Sequence, residues 1–398
     1  MIVIVLPVVL EAKVKNYSIA VLEGDGIGPE IIREGLKVLK AVEEVSGVTF
    51  STTYYPYGAE HYLATGEVLP DSALRELEQN NAIFFGAAGD PRVPPGILEI
   101  ELILKIRFLL DQYINLRPIH LFPNVVSPLR NDKGIDFYII RENTEDFYNG
   151  MGHRFDVRND NSLRQQCALE MKRKRYRAQV SIDSQLDIKE DYAITLGLMT
   201  RGGAERVFRY SFDLARRKGK AKVTSVDKAN VIPHLYTLWR EAFSEVSKEY
   251  PDISTEFTFV DAVTMWFVKN PENFGVVVAP NLFGDIISDL GAGISGGLGF
   301  AAGANINPGG VSMFEPIHGS APKYKGLNIA NPIATILSGG IMLEELGQER
   351  LGRLVRESVT AVLRDNVVRT KDMGGRATTS EMGDAIAAKV YEISRGIE

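Results

Sequence analysis

The sequence predicts an α/β protein built on a mostly parallel sheet. Three observations point there. Short apolar runs of strand length alternate with longer amphipathic stretches from residue 17 onward. A glycine-rich turn joins the first such run to the first amphipathic stretch. Charged residues suited to ligands stand at the ends of several runs, where open α/β sheets bind them.

Tyr17 to Leu22 reads as the first strand, followed at once by Glu23-Gly-Asp-Gly-Ile-Gly-Pro-Glu30. Ile31, Ile32, Leu36, Val38, Leu39 and Val42 then trace one face of a helix, and Pro29 suits its first turn. A strand, a glycine-rich turn and a helix N-terminus make a geometry that suits phosphate. A tight turn without a ligand is the other reading. The glycines fall at 24, 26 and 28, so the Gly-x-Gly-x-x-Gly dinucleotide fingerprint is absent here.

Ala82 to Phe85 reads as a buried strand running into Gly86-Ala-Ala-Gly-Asp90. Pro94, Pro95 and Gly96 mark a loop before a helix over about 97–114 that carries Arg107. Asn115-Leu-Arg-Pro118 closes that helix and supplies Arg117. Phe137 to Ile140 is a strand that delivers Arg141-Glu-Asn-Thr-Glu-Asp146. Arg107, Arg117 and Arg141 are candidates for bidentate binding of carboxylates, with surface ion pairs as the alternative.

Residues 151–190 differ in composition and hold the run Lys172-Arg-Lys-Arg-Tyr-Arg177. An acidic chain makes a solvated hairpin or arm the better reading than an anion or RNA patch. A helical pattern runs from about 193 to 217, then a strand from Ala221 to Val226 ends at Asp227-Lys228. Lys228, between Val226 and Val231, could be partly buried with a lowered pKa. A helix over Tyr236–Val246 and a strand over Phe257–Val260 lead to Asp261.

Val276 to Ala279 is a short buried strand ended by Pro280 and Asn281. The helix after it places Asp285 and Asp289 on one face, one turn apart. Two hard oxygen ligands suit Mg²⁺ or Mn²⁺. A solvated acidic helix start is the alternative, and the surrounding Phe283, Ile286, Ile287 and Leu290 argue for a buried pair that needs a counter-charge. Residues 291–310 are rich in glycine. Glu315-Pro-Ile-His318-Gly-Ser-Ala-Pro322 follows, then Ile329 to Leu337 leads into a buried helix, with final helices near 349–364 and 380–394.

The 398 residues suffice for two domains. A net charge of -6 argues against nucleic acid as a partner. One cysteine, Cys167, rules out an internal disulfide and a cysteine-rich metal site, and fits the cytoplasm. The apolar opening, Met1 to Leu10, is too short to span a membrane and reads as a disordered or strand-like extension. No membrane partner is expected.

Five motifs now stand in order: Gly24-Asp-Gly-Ile-Gly-Pro-Glu30, Asn115-Leu-Arg-Pro118, Arg141-Glu-Asn-Thr-Glu145, Asn281-Leu-Phe-Gly-Asp285 and His318-Gly-Ser-Ala-Pro322. Together the chain resembles the isocitrate/isopropylmalate dehydrogenase family of β-decarboxylating dehydrogenases, from about residue 17 to the C-terminus. The resemblance implies an isopropylmalate dehydrogenase-like fold: two α/β domains with a cleft, not a Rossmann fold. Residues 1–112 and 297–398 would form the large domain, and 113–296 the small one, with the dimer interface and an arm at about 151–190.

The resemblance also implies roles. Arg107, Arg117 and Arg141 would hold the carboxylates of a malate-type substrate. Asp285 and Asp289 would bind Mg²⁺ or Mn²⁺, completed by Asp261 of a second subunit. Tyr148 and Lys228 would be the acid–base pair, Lys228 also arriving from that subunit. His318, Gly319, Ser320, Ala321 and Asn331 would border the cofactor. A homodimer with shared active sites follows.

Two departures refine this. NAD-using members carry an aspartate after His-Gly-x-Ala-Pro; here Lys323 and Tyr324 follow, which is similar to NADP-using isocitrate enzymes and favours NADP over NAD. Isocitrate enzymes carry serine and asparagine before the first arginine; here Glu101 and Ile103 stand there, and Ile103 suits an isopropyl group. Oxidative decarboxylation of 3-isopropylmalate to 2-oxoisocaproate, a step of leucine biosynthesis, is the leading expectation. Tartrate/D-malate, then isocitrate or homoisocitrate, are the alternative substrates, since Asp111 to Arg117 and Asp372-Met-Gly-Gly375 are similar to both tartrate/D-malate and some isopropylmalate enzymes. A silent regulatory subunit is the non-enzyme alternative.

Overall fold

The computed structural model describes residues 15–130, 132, 134–156, 164–185 and 190–396. The expected N-terminal extension, Met1 to Leu10, lies outside the described residues.

Apolar alternation converts into strands buried on both faces, as a sheet covered by helices requires. In chain order come β1 (Lys15–Gly24), α1 (Gly28–Ser46), β2 (Val48–Tyr54), α2 (Ala59–Thr65), α3 (Asp71–Leu77) and β3 (Ala82–Ala87). A π-helical turn (Glu99–Leu104) runs into α4 (Lys105–Leu109), then β4 (Ile114–His120) and β5 (Asp136–Glu142). Four strands build the arm: β6 (Gly152–Phe155), β7 (Arg164–Lys172), β8 (Arg177–Gln185) and β9 (Tyr192–Thr195). α5 (Arg201–Arg217), β10 (Lys222–Asp227), α6 (Pro233–Ser247), β11 (Ser254–Phe259) and α7 (Val260–Lys269) follow. The remainder is β12 (Val276–Ala279), α8 (Asn281–Ile294), β13 (Ala302–Ile306), β14 (Ser312–Pro316), α9 (Ile333–Glu345), α10 (Glu349–Asp365) and α11 (Thr379–Arg395).

Ten strands form one sheet in the order β11-β10-β12-β5-β4-β13-β14-β3-β1-β2. Both wings are parallel, and the middle strands β5, β4, β13 and β14 pair antiparallel. The wing β14-β3-β1-β2 thus draws on both ends of the described chain. One face carries a continuous core in which Val21, Phe84, Tyr138 and Val278 meet α1, α5, α6 and α9 to α11. On the other face, Leu22 and Phe85 pack in one cluster under the π turn and α4. Ile139 and Val277 pack in another under α7 and α8. The candidate site lies on this second face. Among the described residues no helix is long and apolar enough to cross a membrane.

Several local expectations are corrected. The helix over 97–114 breaks at Asp111, whose φ of 51° leaves the helical region, and Asn115 to Pro118 continue as β4. The helix over 193–217 starts only at Arg201, where the Thr200 side chain accepts the Gly203 N–H; residues 192–195 pair with β6 instead. The glycine-rich stretch contains β13, and β2 is an exposed edge strand whose weak alternation leaves little mark in the sequence. The run Lys172 to Arg177 is a hairpin turn between β7 and β8, but not wholly solvated. Arg173 is buried over the Phe108 ring at 3.7 Å and donates to the Thr144 carbonyl at 2.6 Å.

Candidate active site

β4 and β5 aim Arg117 and Arg141 at the same face because both occupy the parity that also carries Ile119 and Ile139. That face receives α8, whose first turns hold Asp285 and Asp289. Asp285 accepts from Arg141 at 2.5 Å, from Arg117 at 3.3 Å and from the Tyr148 hydroxyl at 2.9 Å. Arg117 also meets Asp289 at 3.3 Å and Ser288 at 2.6 Å. Arg141 lies 4.8 Å over the Tyr148 ring and ties back to Asn281 at the start of α8. Side chains from β4, β5 and the turn that carries Tyr148 therefore converge on one carboxylate of α8.

The electrostatics follow from burial. Burial pushes the Asp285 carboxyl up, but Arg141 and Arg117 outweigh it and hold the group below its ordinary range. Tyr148 is pushed up by burial and by its bond to Asp285, so its phenol keeps its proton. Burial, with Arg117 beside it, pulls Arg141 down from the arginine range. The two aspartates are not a buried pair, contrary to the apolar surroundings read from sequence. The Asp289 side chain is 65% exposed and that of Asp285 37%, because α8 turns Ile287 and Ile294 into the core while Ile286 stays exposed.

Arg107 enters from α4 and is buried against Glu315 at 2.9 Å. Asn305 donates to the same carboxylate at 2.6 Å. The Arg107 Nε is buried without a partner among the described residues, which fits a site awaiting an anionic ligand. Ile103 sits in the π-helical turn, half-buried against the cluster under α4. π turns recur at functional sites.

Lys228 and Asp261 form a pair of their own at 2.6 Å. Val231 is exposed, so the apolar setting expected for Lys228 is replaced by a carboxylate partner. Among the described residues no three acidic, histidine or cysteine side chains gather to hold a metal. Asp285 and Asp289 offer the hard oxygens a divalent cation takes, so the donor set fits in kind and is short by at least one ligand.

A cavity of about 580 Å³ opens beside α1, of a size that suits a nucleotide. His318, Gly319, Ala321, Tyr324 and Asn331 line it, as the sequence suggests. Ser320 does not; its carbonyl accepts the Ile27 N–H at 2.8 Å, and it fills the space beside Gly26 and Gly89. Lys323 is exposed, with its Nζ 4.7 Å from the Tyr324 ring. Burial lowers the His318 pKa, leaving a neutral ring at pH 7, and its Nε2 has no partner among the described residues.

Sequence reading missed Ile27, Lys371 and Asp372 as cavity walls. Ile27 was signalled by the glycine turn. Gly24 and Gly26 have φ of 69° and 60°, and a Cβ on Gly26 would lie 1.9 Å from the Ser320 carbonyl oxygen. Glu30 was also missed; it receives the N–H groups of Gly326 and Asn328 and anchors the loop after Tyr324.

Comparison with known proteins agrees with this geometry. A sequence model described as isocitrate/isopropylmalate dehydrogenase matches residues 18–386. The 3-isopropylmalate dehydrogenase of Thermobifida fusca is 44% identical over 382 residues, 95% of this chain and 99% of that protein. The enzyme of the same name from Streptomyces griseus is 42% identical over 378 residues, 94% of this chain and 99% of its own. The crystal structure of isocitrate dehydrogenase from Methylococcus capsulatus superposes with a TM-score of 0.79 at 34% identity, covering 94% of this chain and 99% of that one. With its arginine-clamped aspartate, its nucleotide-sized cavity and a match along nearly its whole length, this chain belongs to the isocitrate/isopropylmalate dehydrogenase family.

Proposed function

We propose that this protein catalyses the metal-dependent, NAD(P)-linked oxidative decarboxylation of a 3-substituted malate, 3-isopropylmalate foremost, as a step of leucine biosynthesis in the cytoplasm. The observation that carries the proposal is the convergence of Arg117, Arg141 and Tyr148 on Asp285, with Arg107 offering an unpaired Nε nearby on the same face. High-identity relatives over nearly the whole chain bear the name 3-isopropylmalate dehydrogenase, which supports the choice of substrate.

The three arginines bind the carboxylates of the malate moiety as planar forks. Asp285 and Asp289 would hold Mg²⁺ or Mn²⁺, with Asp261 supplied by a second subunit. When bound, the cation would supply Lewis acidity and the nicotinamide cofactor the oxidising power of the reaction. Lys228 of that second subunit accepts the hydroxyl proton. Tyr148, still protonated, returns a proton to C3 once the β-carboxylate has left. Ile103 flanks the isopropyl group. His318, Gly319, Ala321, Tyr324 and Asn331 would hold the adenine end of the cofactor. Lys323, exposed and outside that lining, would meet a 2′-phosphate, which favours NADP over NAD.

A homodimer is part of the proposal. Lys228 and Asp261 bond only to each other among the proposed catalytic and metal groups. Met265 and Trp266 on α7 and Ile286 on α8 expose an apolar face, at 42%, 42% and 55%. Residues 1–112 with 297–398, and 113–296, are the proposed large and small domains, meeting between β13 and β4.

The test is a panel of malate-type acids assayed with both cofactors and Mg²⁺ or Mn²⁺. 3-Isopropylmalate with NADP is expected to turn over best. Turnover of tartrate or D-malate without turnover of 3-isopropylmalate would overturn the substrate. No turnover of any acid, with metal bound, would leave a regulatory subunit.

A further inference from the structure

The opposite face of the sheet holds a second concave site. Pro118, His120 and Tyr138 alternate with Arg117 and Arg141 along β4 and β5, so they point away from the candidate active site. There an apolar chamber of about 60 Å³ is walled by Phe122, Phe300, Leu337 and Ile341. By the measure of one water-sized sphere per ~10–15 Å³, it takes roughly four or five heavy atoms. A polar vestibule of about 230 Å³ adjoins it, and the two share Asp136, Tyr138, Glu344 and Arg356.

The charges of the vestibule are unevenly paired. Lys218 meets Glu344 at 2.6 Å, Lys220 meets Asp136 at 2.6 Å, and Arg217 meets Glu345 at 3.2 Å. His120 also reaches Asp136, at 3.1 Å. Arg353 and Arg356 lie three residues apart on α10, exposed at the vestibule, with no carboxylate partner among the described residues. Arg356 also bonds the Tyr138 side chain, and Glu349 lines the same vestibule. Two guanidinium forks without an ion-pair partner among the described residues therefore stand beside a pocket sized for a small hydrocarbon group.

We propose that this back cavity binds a short branched aliphatic monocarboxylate, its carboxylate on Arg353 and Arg356 and its hydrocarbon end in the chamber. Planar guanidinium forks match a carboxylate. Burial of the alkyl end supplies the rest of the affinity. Lysines neutralise Asp136 and Glu344, and Glu349, the remaining carboxylate lining the vestibule, is outnumbered by Arg353 and Arg356. The occupant would span α9 and α10 and the back of β5, three residues from Arg141, without entering the active site.

The experiment titrates the full chain with isovalerate by calorimetry, with acetate and the neutral isovaleramide as controls. Isovalerate is expected to bind, and both controls to bind about tenfold more weakly or less. Arg353→Gln and Arg356→Gln should each weaken isovalerate by about tenfold while leaving uninhibited turnover unchanged. The malate-type acid that the enzyme turns over best should not displace it. Absence of binding, equal binding of isovaleramide, unchanged affinity in both variants, or displacement by that acid would each overturn the proposal.

Discussion

The Asp146 carboxylate accepts the Leu282 N–H at 2.9 Å and so caps α8 from a neighbouring loop. The helix cannot cap itself, because Pro280 precedes it and offers no side-chain acceptor. Asp146 is buried, has a φ of 62° and also accepts the Tyr236 hydroxyl at 3.1 Å. It is the strut that sets where Asp285 and Asp289 stand. Asp146→Asn keeps the shape and tolerates the φ but removes the charge at the helix N-terminus. We expect a loss of about 1–2 kcal/mol in urea unfolding and a higher Mg²⁺ concentration for half-maximal turnover. An unchanged Mg²⁺ requirement would show that Asp146 supports only the fold.

Asp285→Asn removes the carboxylate that faces Arg141 and Arg117. Metal-dependent turnover should be abolished, and near-normal rates with Mg²⁺ would contradict the metal site. Stability should fall by about 1–2 kcal/mol near pH 7, a figure reduced for the partial exposure of Asp285. The folded carboxyl is held below its ordinary 3.8, so its contribution is present above that pH and lost only as the pH falls through and below it. The gap between wild type and variant should therefore stay constant from about pH 5 to pH 8 and close only in stronger acid.

Arg107→Gln tests the unpaired Nε. KM for the malate-type acid should rise by roughly tenfold to a hundredfold with a smaller change in kcat. Arg107→Lys should not restore it, since a single ammonium cannot pair with Glu315 and a substrate carboxylate in the fork geometry. Full rescue by lysine would reduce Arg107 to a point charge.

Tyr148→Phe removes one hydroxyl and one hydrogen bond to Asp285. Turnover should fall by about a hundredfold or more while the fold persists, as circular dichroism would report. Because the wild-type phenol is held above its ordinary 10, any alkaline loss of kcat below that pH should be retained in Tyr148→Phe. A limb that vanishes in the variant would assign that titration to Tyr148.

Lys323→Asp should shift the ratio of kcat/KM for NADP and NAD toward NAD. If the ratio does not move, Lys371, which lines the cavity itself, becomes the residue to replace.

The sequence by itself determined the fold class, because strand burial and helix amphipathicity leave periodic marks, and its five ordered motifs carried the family resemblance. The spacing of Asp285 and Asp289 and the glycines at 24 and 26 are local facts of the same kind. Tertiary structure decided what depends on contacts distant in sequence. It broke the helix before Arg117 and put that arginine on a strand, since β5 and β13 could pair with it there. It withdrew Ser320 from the cofactor cavity because Gly26 and Gly89 pack against it. It buried Arg173 within a run that reads as solvated. It made Asp285, rather than the pair, the centre of the site, because Arg117, Arg141 and Tyr148 reach that carboxylate from three separate elements while Asp289 stays largely in solvent. Periodicity reports which face a residue occupies, and only the packed chain reports what stands opposite.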